Sequence, residues 1–130
     1  MEKQIFNPWS YQENFGYAQA VEVKNVTSTL YCAGQAAINA DGHPSADHLE
    51  GQLVQALENL EIVISNAGYQ CQDIVRLNIF TTSATDFFNS FQVFTDWISE
   101  HGVKEAMTLL EVKGLAFDTL KIELEATVVK

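Results

Sequence analysis

The sequence predicts an α+β fold, a two-layer domain in which a mixed β-sheet carries two helices on one face. Three observations lead there. Two stretches repeat apolar residues at helical spacing, four or five others show the alternation or β-branched content of strands, and their order along the chain is β-β-α-β-α-β-β. At 130 residues, 47% hydrophobic and 18% charged, the chain suits one domain over residues 1–130, long enough to bury a core.

A short strand is expected at residues 3–6. Residues 17–24, "YAQAVEVK", alternate, with Tyr17, Gln19, Val21 and Val23 on one side. Residues 28–38 form a second strand that runs into Gly34-Gln35, and Asp41-Gly42 marks the turn after it. Asp47 followed by Glu50 reads as a capping box. Behind it Leu49, Leu53, Ala56, Leu57, Leu60, Ile64 and Ala67 form a helical stripe that Gly68 can stop. Residues 73–82, "DIVRLNIFTT", are a strand. Ser83 or Thr85 can cap a second helix that turns Phe87, Phe88, Phe91, Phe94 and Ile98 inward and ends at Gly102. Residues 106–112 and 120–127 read as a closing pair of strands joined by a loop containing Gly114. With both helices on one face, side chains such as Val21, Val23 and Leu124 are left on the other. That uncovered face points to self-assembly.

Charge excludes some functions. Seventeen acids oppose seven bases, for a net charge of −10, and Arg76 is the only arginine. Lysines 3, 24, 104, 113, 121 and 130 are scattered singly, whereas a polyanion-binding face needs several cations together. Binding to nucleic acid or an anionic membrane is not expected. No apolar run spans a bilayer, and "MEKQIFNPW" lacks the apolar core of a signal peptide. A cytoplasmic location follows, with Cys32 and Cys71 as reduced thiols.

Candidate sites are few. His43 and His48 flank a loop with Asp41 and Asp47, but their spacing matches no metal motif, and no metal is expected. The phenylalanine-rich helix has the spacing of a core stripe. Gly34 at a strand end can expose a backbone N–H to a carboxylate. Glu123 and Glu125, two apart on a strand, share a side. In water they are a solvated face; in a cleft one could hold a water molecule as general acid or base.

The stretches "FGYAQAVEV", "LYCAGQ", "QALENLEIVISNAG", "DIVRLNIFTT", "TDF" and "EVKGLAFDTLKIELEA" occur in this order. Together they resemble the motifs of the Rid (YjgF-type) family of reactive-intermediate deaminases, from about Tyr17 to Val128. The resemblance implies a chorismate-mutase-like fold and a homotrimer with a small-molecule cleft between subunits. It also implies hydrolysis of enamine/imine intermediates to 2-keto acids and ammonia without a cofactor. Carried over by motif, "GYAQA" supplies Tyr17, "AGQ" supplies Gly34 and Gln35, and "KIELEA" supplies Glu123 to position water. A helix position that is asparagine in some members falls near Phe91.

The chain departs from that pattern at one position. "MTLLEV" aligns with the family's "R-S/T-C-V-E-V" and puts Met107, Thr108 and Leu109 where arginine, a hydroxyl residue and cysteine stand. The arginine clamps a substrate carboxylate, and a charge-assisted hydrogen bond is worth about 1.5–3 kcal/mol. A thioether cannot replace it. Two readings follow: a cleft that binds a neutral or partly apolar metabolite, lined by Gly34, Gln35, Phe91, Met107, Thr108 and Leu109; or an imine hydrolase working through Tyr17 and Glu123.

Overall fold

The computed structural model describes residues 1–130. Strands β1 (Glu2–Phe6) and β2 (Ala20–Lys24) pair antiparallel in a ribbon of their own, with a 3-10 helix, Tyr11–Phe15, between them. The main sheet contains β3 (Thr29–Tyr31), β4 (Gln35–Ala36), β5 (Ile74–Thr81), β6 (Ala106–Glu111) and β7 (Ile122–Val129). Its order is β3-β7-β5-β6, with β4 also on β7. Only β5 and β6 run parallel, so the sheet is mixed, as expected. Helices α1 (Leu49–Asn66), α2 (Ala84–Asn89) and α3 (Phe91–Glu100) carry the buried stripes Leu49, Leu53, Ala56, Leu57, Leu60, Ile64 and Phe87, Phe94, Trp97, Ile98. From the sheet, Ile74, Leu77, Ile79, Ile122, Leu124, Ala126 and Val128 complete the same core. No helix is long and apolar enough to cross a membrane.

Several expectations need correction. The closing strands do not pair with each other: β7 lies between β3 and β5, while β6 takes the edge. The strand expected at 28–38 is two pieces, and the one expected at 17–24 starts only at Ala20. Leu124 is fully buried under the helices and not on the uncovered face. The second helix breaks at Ser90, after Asn89, two weak helix formers in sequence. Its aromatic contacts continue across the break, with ring centroids 5.7 Å apart for Phe87–Phe94 and 6.0 Å for Phe91–Phe94. Phe88 leaves that stripe and is 48% exposed.

Helix ends follow local chemistry. Gly68 and Gly102 have φ of 83° and 62°, the left-handed conformation glycine adopts without strain. After Gly68, Tyr69 N–H donates to Ile64 O (3.1 Å); after Gly102, Val103 N–H donates to Ile98 O (3.0 Å). Both are Schellman closures. Ser83 caps α2, accepting from Asp86 N–H at 3.2 Å. The Asp47 capping box does not form. Asp47 Oδ1 instead accepts from His48 N–H (2.8 Å), and His48 is the N-cap without a side-chain bond. The start of α1 is tied from within by buried Gln52, whose Nε2 donates to Asp47 O (3.0 Å) and Thr119 O (2.9 Å) while its Oε1 accepts from Lys121 N–H (2.8 Å).

A β-bulge between Ile74 and Arg76 inserts Val75 into β5. The extra residue reverses the alternation, so Ile74 and Leu77 both face the core and Arg76 faces away. Glu105, just before β6, is fully buried with both carboxyl oxygens unpartnered. Burial pushes it up to about 8, against the weaker opposing pull of its own backbone amide, Lys3 and Lys104.

Replacing Gln52 by alanine orphans Thr119 O and Lys121 N–H, while Asp47 O keeps Lys121 Nζ at 2.9 Å, and should destabilise the fold by about 2–4 kcal/mol, read as a lowered urea midpoint with unchanged slope. For Glu105 the native state keeps its proton where the unfolded chain loses it. Wild-type stability should therefore fall as pH rises from the ordinary carboxylate range towards about 8, then level off. Thermal melts across pH should show that component removed in Glu105→Gln; an unchanged profile would mean Glu105 ionises normally.

Candidate functional site

Alternation along β7 sends Ile122, Leu124, Ala126 and Val128 into the core and Glu123 and Glu125 to the open face of the sheet. The two carboxylates share a side, as expected, and both are half-buried. Asn78 Nδ2 donates to Glu125 Oε1 at 2.9 Å. Between β3 and β4 the chain passes directly over Glu123: a Cβ on Gly34 would lie 2.6 Å from Glu123 Cδ. Only glycine allows that approach. Gln35 and Ala36 then pair with Leu124 and Glu123. The fold thus brings Gly34, Gln35 and Glu123 together. Glu123 and Glu125 line a shallow depression of about 400 Å³ with Phe80, Val112, Leu115 and Ala116, and no lysine or arginine lines it. A carboxylate there can accept hydrogen bonds from a neutral or cationic ligand, or from water.

Tyr17 and Phe91 line a different space, a cavity of about 640 Å³ between the N-terminal ribbon and α3, with Gln12, Thr95, Ser99 and Lys104. Burial, then neighbouring Tyr11, pushes the Tyr17 phenol up, so it serves as a neutral hydrogen-bonding group. Ala18 bridges to Ala106 at the start of β6, whereas Glu123 is level with Phe80 and, beyond it, Leu110. At ~3.3 Å per residue and ~4.8 Å per strand, four residues and three strand spacings put the two backbones roughly 20 Å apart. Within one chain, Tyr17 and Glu123 do not share a site.

The third group divides between faces. In the β5–β6 register, Met107 and Leu109 pair with core residues Leu77 and Ile79, and they are half-buried against the core. Thr108 faces the other way. Within one subunit the three therefore do not share a face of β6: strand alternation puts Met107 and Leu109 on the helix side and Thr108 on the open side. Beside Thr108 stands the chain's single arginine. Arg76 Nη2 donates to Thr108 Oγ1 at 2.8 Å. The bulge that aims Arg76 there leaves no sequence signature of its own. Neither cysteine is an activated nucleophile, because burial pushes both thiols up, Cys71 to about 11.

Comparison with known proteins fits this architecture. Residues 11–130 match the model of the Endoribonuclease L-PSP family. A RutC family protein of Aquifex aeolicus is 28% identical over 114 residues, 88% of each chain. The 2-iminobutanoate/2-iminopropanoate deaminase of Escherichia coli K12 is 31% identical over 116 residues, 88% of this chain and 87% of that one. The crystal structure of YyfB from Yersinia pestis, of the conserved Rid protein family, superposes with a TM-score of 0.87 at 32% identity over 100% of both chains. The fold is the chorismate-mutase-like α+β arrangement of these proteins. On a match that runs from the first 3-10 helix to the last residue, the chain belongs to the Endoribonuclease L-PSP family, also called Rid or YjgF.

Proposed function

We propose that the protein is a homotrimer whose intersubunit clefts bind a small neutral or partly apolar metabolite, a site altered from that of a 2-imino acid deaminase. The observation that carries this reading is the depression around Glu123, which pairs two carboxylates with apolar side chains and has no cation in its wall. Position 107, where the family resemblance expects an arginine, holds a thioether packed on the core. An anionic imino acid would meet like charge there and no clamp.

Assembly is supported by the sheet. Helices cover one face; the other exposes Tyr31 at 80% and Leu110 at 50% of their surface, and β6 is an edge strand whose outer side is paired only at Ala106, with Ala18. Apolar sheet surface of this kind is normally buried by a partner. A neighbouring copy is also what could bring a Tyr17 cavity against a Glu123 depression. Light scattering should give a mass near three times 14.5 kDa; a stable monomer would remove the cleft altogether.

A second reading, imine hydrolysis, is favoured by one feature: Glu123, to which the resemblance gives the water-positioning role, lies tightly under Gly34, whose stretch it gives a backbone donor. In that chemistry Glu123 takes a proton from water as its oxygen bonds to the imine carbon and the C=N π electrons move to nitrogen. It returns that proton to nitrogen to give a carbinolamine, then takes the carbinolamine hydroxyl proton as C=O forms and passes it to nitrogen as the C–N bond breaks, releasing ammonia and a carbonyl. Tyr17 of a neighbour would orient the substrate.

Keto-acid release from enzymatically generated 2-iminobutanoate separates the readings. Wild type should stay near the spontaneous rate, and Met107→Arg should raise it by roughly tenfold or more, the effect of one charge-assisted bond. A fast wild type that Glu123→Gln silences would establish the hydrolase instead.

A further inference from the structure

Away from the clefts, the fold gathers three donor side chains that are distant in sequence. Glu61 projects from α1, Cys71 from the turn after it, and His101 caps α3; their donor atoms all lie within 4.8 Å of one another. We propose that Glu61, Cys71 and His101 bind a divalent transition-metal ion of the zinc class, where the groove between α1 and α3 meets the end of α1.

The donor set is the first reason. Thiolate, imidazole and carboxylate together select zinc-like ions over magnesium or calcium, and three protein ligands leave one tetrahedral position for water. His101 supplies a second, independent reason. Its Nδ1 is 2.9 Å from Trp97 O, and a carbonyl oxygen can only accept, so the proton sits on Nδ1. The Nε2 lone pair is thereby aimed at Glu61 Oε1, with which it is in contact. Two acceptors facing each other require a positive charge between them, either a proton or a metal ion. An imidazole held through its far nitrogen by a backbone carbonyl is also the usual support of a metal-ligating histidine. The Trp97 ring, with centroids 4.6 Å apart, further fixes the imidazole.

Cys71 distinguishes the two. A proton shared by Glu61 and His101 leaves the adjacent sulfur only its packing in the core, whereas a metal uses all three donors. The approach suits a cation: Glu58, Asp96 and Glu100 join Glu61 and His101 along the groove, and their combined field draws positive charge inward. On binding, the ion replaces the Cys71 thiol proton and any proton held between His101 and Glu61, and both protons leave to solvent.

Chelator-treated full-length protein titrated with Co²⁺ tests this. The expected result is a thiolate-to-cobalt charge-transfer band in the near ultraviolet, with the strong visible absorption of four-coordinate cobalt, saturating at one ion per chain. Cys71→Ser should abolish the charge-transfer band and Cys32→Ser should retain it. His101→Gln, at a half-exposed position, should weaken binding by about tenfold or more, and Zn²⁺ should raise the melting temperature of wild type but not of that variant. A weak six-coordinate spectrum, a band that survives Cys71→Ser, or unchanged affinity in His101→Gln would each overturn the site and leave a protonated Glu61–His101 pair. If Cys71→Ser does not fold, the His101→Gln titration decides alone.

Discussion

The alternation of β7 is the constraint on which the rest of this structure depends. It is flanked by β3 and β4 on one side and β5 on the other. Ile122, Leu124, Ala126 and Val128 must therefore enter the core under α1, which forces Glu123 and Glu125 onto the other face. A one-residue slip would bury two carboxylates and expose four apolar side chains. The same register puts Ala36 opposite Glu123 and draws Gly34 over its carboxyl group. Core packing and the candidate site are thus specified by one strand.

Features governed by local chemistry were legible in the sequence. The stripe of α1, the Ser83 cap and the stops at Gly68 and Gly102 depend on side chains within a turn of one another. The pattern of Glu123 and Glu125 was equally clear because strand period alone determines it. What escaped depends on distant partners. Asp47 and Glu50 have the spacing of a capping box, but Asp47 engages the preceding turn, with its N–H on Ser45 Oγ at 3.0 Å, and Gln52 secures the helix start to the loop before β7. Nothing in residues 104–126 reveals that the two strands there are separated by β5.

The candidate site was legible residue by residue and not as an assembly. The motifs supply Tyr17, Gly34, Gln35, Phe91 and Glu123, yet a single chain distributes them among separate depressions. Met107 shows what strand register adds to motif alignment. Its register partner is Leu77, so it faces the helices and supports the core at the exposed edge of the sheet. A long side chain at that edge could reach beyond it; methionine ends in apolar contact.

Charge then decides what such a cleft can hold. The chain's one guanidinium donates to Thr108 beside the Val75 bulge, on the same sheet face as Glu123 and Glu125 but outside the depression they line. At roughly 6 Å and an effective dielectric constant near 20, each carboxylate repels an anionic ligand by about 2–3 kcal/mol, comparable with the gain from one charge-assisted hydrogen bond. An isolated subunit therefore disfavours a 2-imino acid on electrostatic grounds alone. A neighbour that contributed Tyr17 would carry Lys104 with it, because the two line one cavity. A single ammonium would offset the repulsion from about one carboxylate but would lack the planar, bidentate geometry of arginine. Admission of an anion and its alignment for attack are separate requirements, and a lysine meets only the first.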